Sequence, residues 1–153
     1  MAENNGIAKM PDYRTIVQKT GAAYIPLVEK QISNGGSVDL YQHLCMENAL
    51  TMMHETAVGA GLEGISALQK SEIMQILQQV ATLRLNAFSR PRECYFQTRK
   101  KKQPDGNWTT SIEMGIEGDG NDVILRNFGH GVEEVYPYWD VHVDDEFTYP
   151  VHH

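Results

Sequence analysis

The chain carries its densest positive charge shortly before an aromatic residue. Arg99, Lys100, Lys101 and Lys102 are consecutive, and Trp108 follows them after the segment QPDGN. Lysine and arginine bind phosphate groups, and a flat aromatic ring is a surface on which a nucleobase stacks. These residue types at this spacing indicate a surface for a polyanionic partner that also carries bases. The alternative is a solvated turn without a partner.

The basic run contrasts with the chain as a whole, which is acidic. Its 153 residues have a net charge of −7. The segment 84–102 contains seven basic residues and one acidic residue, a net charge of +6, whereas 113–146 contains ten acidic residues and one basic residue, a net charge of −9. This asymmetry favours an oriented electrostatic field with one face suited to an anionic partner. In the alternative interpretation both segments are ordinary solvated surface.

These observations define a set of candidate ligand-binding side chains. The candidate DNA-binding residues are Arg84, Arg90, Arg92, Arg99, Lys100, Lys101, Lys102, Trp108 and Arg126. Tyr95 and Phe96 are consecutive and therefore face opposite sides of a strand, and we expect Phe96 to lie in the core. For Trp108 two positions stay open. It packs on the helices, or it is partly exposed and stacks on a base or a neighbouring subunit.

Other kinds of site have weaker support. The segment GIEGDGNDV lacks the lysine of a phosphate-binding loop, and no cysteine or serine has the local signature of a nucleophile, so we expect no enzyme. The histidines do not show metal-ligand spacing. The acidic cluster Asp140, Asp144, Asp145 and Glu146 is compatible with Mg²⁺ or with solvated surface. We therefore expect no cofactor, with Mg²⁺ as the open alternative, and a Mg²⁺-dependent nuclease as a weaker hypothesis.

Helices are predicted in the first half of the chain. Apolar spacing predicts helices over 13–32 and 38–58, and Ser66 with Gln69 predicts a capping box at the start of a third helix that runs to Leu83. No apolar run is long enough to span a bilayer, and we expect no membrane partner. The N-terminus lacks a secretory signal, and the two cysteines form no CxxC motif, which favours reduced thiols in a cytoplasmic protein.

The second half of the chain predicts strands. The segment 93–99 is rich in β-formers, QPDG is a turn signal, and 107–116 alternates so that Trp108 and Ile112 share one face. A short helix before Gly129 and a third strand over 136–143 follow. The predicted fold is α+β, with a small antiparallel sheet packed on helices. We expect a flexible segment over 1–12 and a single domain over 13–153.

From about residue 71 to 149 the order of features resembles the RecT/Red beta superfamily of phage single-strand annealing proteins. The similar segments are SEIMQILQQVATLRLNA, RPRECYF, KKQPDGNW, SIEMGIEG, VILRNFG and VHVDDEFTY. Gly115 and Gly118 match the glycines of the family's strand-to-helix junction, whereas Ile116 and Glu117 replace its aromatic and basic residues. The family's C-terminal half is not represented, so we expect an N-terminal fragment or a shortened relative.

The resemblance implies a function. Members of this superfamily bind single-stranded DNA without ATP, assemble into rings or filaments, and anneal complementary strands in phage recombination. The expected partners are therefore single-stranded DNA, further copies of the chain and a phage exonuclease. The alternative is a non-enzymatic viral or phage assembly protein whose charge asymmetry serves only subunit packing.

Overall fold

The computed structural model describes residues 13–34, 37–136, 142–146 and 148. Its elements are α1 (Tyr13–Ile32), α2 (Leu40–Gly59), a 3₁₀ turn (Ile65–Ala67), α3 (Lys70–Leu83), β1 (Cys94–Lys102), β2 (Trp108–Ile116) and α4 (Gly118–Phe128). Helices thus precede an antiparallel hairpin and a short helix, which confirms the α+β class. The third strand predicted over 136–143 falls mainly on 137–141, outside the described residues. No described helix is both long and apolar enough to cross a membrane.

Helices α1, α2 and α3 pack together, and we call them the helical body. α2 is its central element because buried residues recur on successive turns along its length. They are Cys45, Met46, Ala49, Leu50, Met53, His54 and Ala57. Ile73, Leu77 and Val80 of α3 and Val28 of α1 join the same core. The methionines fill this core as flexible apolar side chains.

The start of α3 differs from the prediction. Ser66 lies in the 3₁₀ turn, and α3 begins after Gln69, whose side chain makes no capping bond, so the predicted capping box is wrong. The reason is tertiary: the backbone N–H of Ile65 donates to Nδ1 of the buried His54, and Ile65 is buried with it. A capping box does occur at the start of α2, where Asp39 and Gln42 bond reciprocally.

The hairpin pairs β1 with β2 in a register that runs from Cys94 opposite Ile116 to Lys102 opposite Trp108. The turn is closed by a 2.7 Å bond from the N–H of Gln103 to the carbonyl of Asn107, with Gly106 at φ 88°. β1 extends three residues beyond the predicted strand end at residue 99. The whole basic run therefore lies on a strand, where consecutive side chains alternate between faces.

The hairpin is held by α3 at the middle of β2 and by α4 at its base. Oε1 and Oε2 of Glu72 on α3 accept bonds of 2.6 Å from the Ser111 hydroxyl and 3.1 Å from the Ile112 N–H. Just after β2, α4 begins so close to Glu93, the residue before β1, that a Cβ at Gly120 would lie 2.0 Å from the Glu93 carbonyl oxygen. Only glycine permits this approach.

Candidate nucleic-acid interface

One face of the hairpin changes its environment along its length. Directly paired residues of an antiparallel hairpin share a face. Near the helices this face carries Cys94, Phe96 and Ile112, which belong to the core or pack against it. Beyond Ile112, toward the turn, the same face carries Lys100 opposite Thr110 and Lys102 opposite Trp108. We call these four residues the tip face.

Trp108 is exposed, which decides between the two positions left open by the sequence. Its residue surface is 65% accessible, and it lies opposite Lys102 in the register. Trp108, Lys100, Thr109 and Thr110 line a shallow concavity of about 410 Å³. A large indole in this position is available to a flat ligand, whereas Phe96 on the same face is packed against the core, as predicted.

The four consecutive cations divide into two pairs with different surroundings. Arg99 and Lys101 face away from the tip face, where Arg99 Nε lies 2.9 Å from Glu113 Oε2 and Lys101 Nζ lies 3.5 Å from Glu113 Oε1. Lys100 and Lys102, on the tip face, form no ion pair with any described residue. The strand alternation therefore leaves Lys100, Lys102 and Trp108 together on one face. No described carboxylate neutralises the charge of either lysine.

Arg84 is engaged within the helical body. It terminates α3 in the left-handed conformation, at φ 57°, and its Nη1 lies 2.5 Å from Asp39 Oδ2 at the start of α2. Its guanidinium also lies 5.1 Å from the ring centre of Tyr41. The hydrogen bond from Arg84 lowers the pKa of Asp39 below its usual value. Arg84 thus joins the end of α3 to the start of α2, away from the tip face.

The remaining candidate arginines lie at the base of the hairpin. Arg90 and Arg92 are exposed just before β1, and Arg126 is exposed in the last turn of α4. None of the three has an ion-pair partner among the described residues. A nine-residue strand at about 3.4 Å per residue places the base roughly 27 Å from the tip. The structure therefore separates these arginines from the tip face.

Gly115 has a packing role that motif comparison does not reveal. Tyr95 is its cross-strand partner, and a Cβ at residue 115 would lie 2.2 Å from Cζ of the Tyr95 ring. The ring therefore lies across Gly115, on the face opposite to Lys100, Lys102 and Trp108. Tyr95 is thereby committed to covering the sheet backbone and does not contribute to the tip face.

The other groups considered from sequence do not assemble into a site in the described part of the chain. Cys45 and Cys94 are buried free thiols, and burial raises their pKa values to about 11 and about 12, which keeps them protonated. No group of three or more metal-binding side chains occurs among the described residues. Asp144, Asp145 and Glu146 are exposed, and Asp140 lies outside the described residues.

Sequence reasoning missed a larger concavity between α1 and α2, of about 980 Å³. We call it the α1–α2 groove. Its wall on α1 includes Gly21 and Ala22, whose small side chains leave space, and its wall on α2 includes Glu47 and Glu55. The two glutamates are eight residues apart and therefore fall near one helix face. This spacing does not show which helix packs beside α2, so the sequence alone does not reveal the groove.

Comparison with known proteins gives no relative for this chain. No protein-family model, curated protein or solved structure matches it. The resemblance to the phage annealing proteins therefore rests on the sequence segments quoted above. Any function must be argued from those segments and from the geometry of the tip face.

Proposed function

We propose that the chain binds single-stranded DNA without ATP and promotes the annealing of complementary strands, as in phage-type homologous recombination. The observation that carries the proposal is the tip face. An exposed tryptophan lies there beside two lysines whose charges have no ion-pair partner among the described residues. No helix of the described chain covers this face.

Each side chain of the tip face has a distinct task in this proposal. The indole of Trp108 stacks on one base, a contact worth about 1–3 kcal/mol. Lys100 and Lys102 are two residues apart on one strand, about 7 Å, so their flexible side chains reach different phosphates. Thr110 supplies a hydroxyl that can donate to a phosphate oxygen.

The same contacts explain why the bound strand would remain able to pair. Stacking uses the face of a base, and lysine contacts use the phosphate backbone. Neither occupies the Watson–Crick edge. Positive charge also screens the repulsion between two DNA strands that approach one protein surface. A protein of this kind holds a strand extended and leaves its sequence readable by a complementary strand.

The proposal also sets a preference for single strands over duplex. In duplex DNA both faces of each base are covered by neighbouring base pairs, so Trp108 would have no face on which to stack. A duplex would retain only the phosphate contacts. At the base of the hairpin, the exposed Arg90, Arg92 and Arg126 would offer further phosphate contacts to a strand that extends beyond the tip face.

The test is fluorescence anisotropy with a labelled oligonucleotide, single-stranded and in duplex form, at two salt concentrations. We expect tighter binding to the single strand, and affinity that falls as salt rises, because phosphate contacts release counterions. A strand-annealing assay on the same samples should show acceleration without ATP. Absence of single-strand binding at low salt would refute the proposal.

Sedimentation of the protein and gel analysis of the oligonucleotide, on the same samples, separate the alternatives. An assembly protein would self-associate in a salt-dependent manner without binding the oligonucleotide. A nuclease would shorten the oligonucleotide when Mg²⁺ is added, whereas an annealing protein leaves its length unchanged.

A further inference from the structure

The α1–α2 groove combines an apolar surface with acidic side chains. Val17, Pro26 and Val58 contribute accessible apolar surface, and Gly21 leaves room because it has no side chain. Glu47 and Glu55 lie along the α2 wall, about 12 Å apart at 1.5 Å per residue. Among the described residues, no lysine or arginine lines the groove.

The charge of the groove is further defined by His43. Its Nδ1 lies 2.7 Å from Glu29 Oε1 and its Nε2 lies 3.3 Å from Glu47 Oε1. One imidazole is therefore surrounded by two carboxylates, and Glu55 adds a third along the same groove. Even with His43 protonated, Glu29, Glu47 and Glu55 together give this side of the helical body a net negative charge.

The tip face has the complementary properties. It offers one large apolar side chain, Trp108, beside two lysines of the neighbouring strand that pair with no described carboxylate. Trp108 is 65% accessible, so most of the indole is available for burial against a partner. An apolar groove with acidic walls fits an apolar ring flanked by lysines, because burial of the ring and attraction of the charges act together.

We propose that the α1–α2 groove is a docking site for the hairpin tip of a second copy of this chain. Trp108 of one copy enters the groove of the other, and its Lys100 and Lys102 approach Glu47 and Glu55. Within one molecule the tip does not occupy the groove, since Trp108 is exposed and Glu72 holds the middle of β2 on α3.

This contact has a regulatory consequence, which rests on the proposed DNA-binding function. Trp108, Lys100 and Lys102, three of the four side chains that would bind a strand, are also the ones that would contact the groove. DNA and the groove therefore compete for the tip, so that oligonucleotide releases the groove and self-docking lowers the apparent affinity for DNA. A contact made mainly by one tryptophan and two lysines belongs to the weak, transient class, which makes the competition reversible.

The test is sedimentation velocity at several protein concentrations in low salt. The groove variant Glu47→Lys with Glu55→Lys and the tip variant Lys100→Glu with Lys102→Glu should each weaken self-association about tenfold or more. All four substitutions in one chain restore opposite charges across the contact and should recover most of it. Glu63→Lys and Lys101→Glu, which change charge outside the groove and the tip face, should leave self-association unchanged.

The outcomes are decisive in both directions. Any one of three results would overturn the docking proposal. The wild-type chain could be monomeric at every concentration in low salt, or the groove and tip variants could associate like wild type. The chain with all four substitutions could also fail to regain association. The groove variant should still bind single-stranded oligonucleotide at least as tightly as wild type, because its tip face is intact. If self-association follows the charge swap and no oligonucleotide binds, the docking site stands and the DNA-binding proposal fails.

Discussion

The two ends of the hairpin use one continuous face for opposite purposes. At the base this face carries Cys94, Phe96 and Ile112, packed with the helical body. At the tip it carries Lys100, Lys102 and Trp108, which are exposed. The pairing is regular throughout, from Cys94 opposite Ile116 to Lys102 opposite Trp108. The backbone therefore does not distinguish the two ends, and the difference lies in what covers the side chains.

This comparison shows where the core ends. The pair Thr98–Ile112 is the last on this face with a buried member, and the next pair outward, Lys100–Thr110, already contains an exposed lysine. A hairpin that is longer than the body it packs on must project, and its projecting part is free to carry side chains that the core would not tolerate. Substitutions at the two ends should therefore affect different measurements.

The largest effect is expected at the base. Ile112 is 3% accessible, and Ile112→Ala removes buried methyl groups and leaves a cavity, which should lower the free energy of unfolding by about 2–5 kcal/mol. Denaturant titration measures the loss. Oligonucleotide affinity per folded molecule should stay unchanged. If affinity falls and stability does not, the assignment of the base to the core is wrong.

The link between the base and α3 gives the next effect. Glu72→Ala leaves the Ser111 hydroxyl and the Ile112 N–H without their charged acceptor, at a cost of about 1–3 kcal/mol. Hydrogen exchange at the Ile112 amide should become faster, whereas the amide of Leu77 in the core of α3 serves as the reference. Equal protection of Ile112 in both proteins would show that Glu72 does not fix the hairpin.

At the tip the expected loss is in binding. Trp108→Ala should lower single-strand affinity by roughly 5- to 150-fold, which corresponds to the loss of one stacked base. The melting temperature should change little, because the indole is mostly exposed. Trp108→Phe keeps a flat ring and should retain part of the affinity. A large loss of thermal stability with unaltered affinity would instead assign Trp108 to the core.

The two pairs of cations sharpen the comparison within the tip itself. Lys100→Ala with Lys102→Ala should reduce the log–log salt slope of single-strand binding by about 1.4, or about 0.7 for each lost phosphate contact. Arg99→Ala with Lys101→Ala removes the same number of charges and is the matched control. Its effect should be smaller because Glu113 already pairs with both side chains. Equal slopes for the two variants would remove the distinction between the faces.

The smallest expected effect is on the free energy of unfolding and comes from the ion pair between His43 and Glu29 in the helical body. The hydrogen bond to Glu29 raises the pKa of His43 above its usual value of 6.5. Protonated His43 therefore stabilises the fold below about pH 6.5, and this stabilisation disappears as pH rises through the higher pKa of the folded state. His43→Gln should cost less than about 1 kcal/mol at pH 5.5, since the ring is partly exposed, and nothing at pH 8.5. A loss that is equal at both pH values would exclude this ionic contribution.

The sequence predicted the fold more completely than the site. Apolar periodicity located α1 to the residue and α2 within two residues, and strand alternation assigned the correct face to Trp108 and Ile112. These patterns depend on local geometry, which the chain carries in its own spacing. The capping box at Ser66 was wrong because a distant side chain, His54, determines the conformation of the turn that contains Ser66.

The sequence predicted which residue types form the candidate site, but it did not predict how they are arranged in space. The basic run and Trp108 were visible as residue types, but their division into two pairs depends on β1 continuing to Lys102 and on Glu113 lying beside Arg99 and Lys101. The role of Arg84 depends on Asp39, which is 45 residues away along the chain. The α1–α2 groove exists only when two helices pack, so single-sequence reasoning could not locate it.

The contact of Tyr95 with Gly115 has a consequence for how such a sequence can vary. The two positions share one volume on the sheet surface, and the tyrosine ring occupies nearly all of it. A side chain introduced at residue 115 must therefore displace the Tyr95 ring or be accompanied by a smaller residue at position 95. In related chains the two positions should covary, with bulk on one strand matched by its absence on the other. Gly115 and Tyr95 would then be conserved together or replaced together.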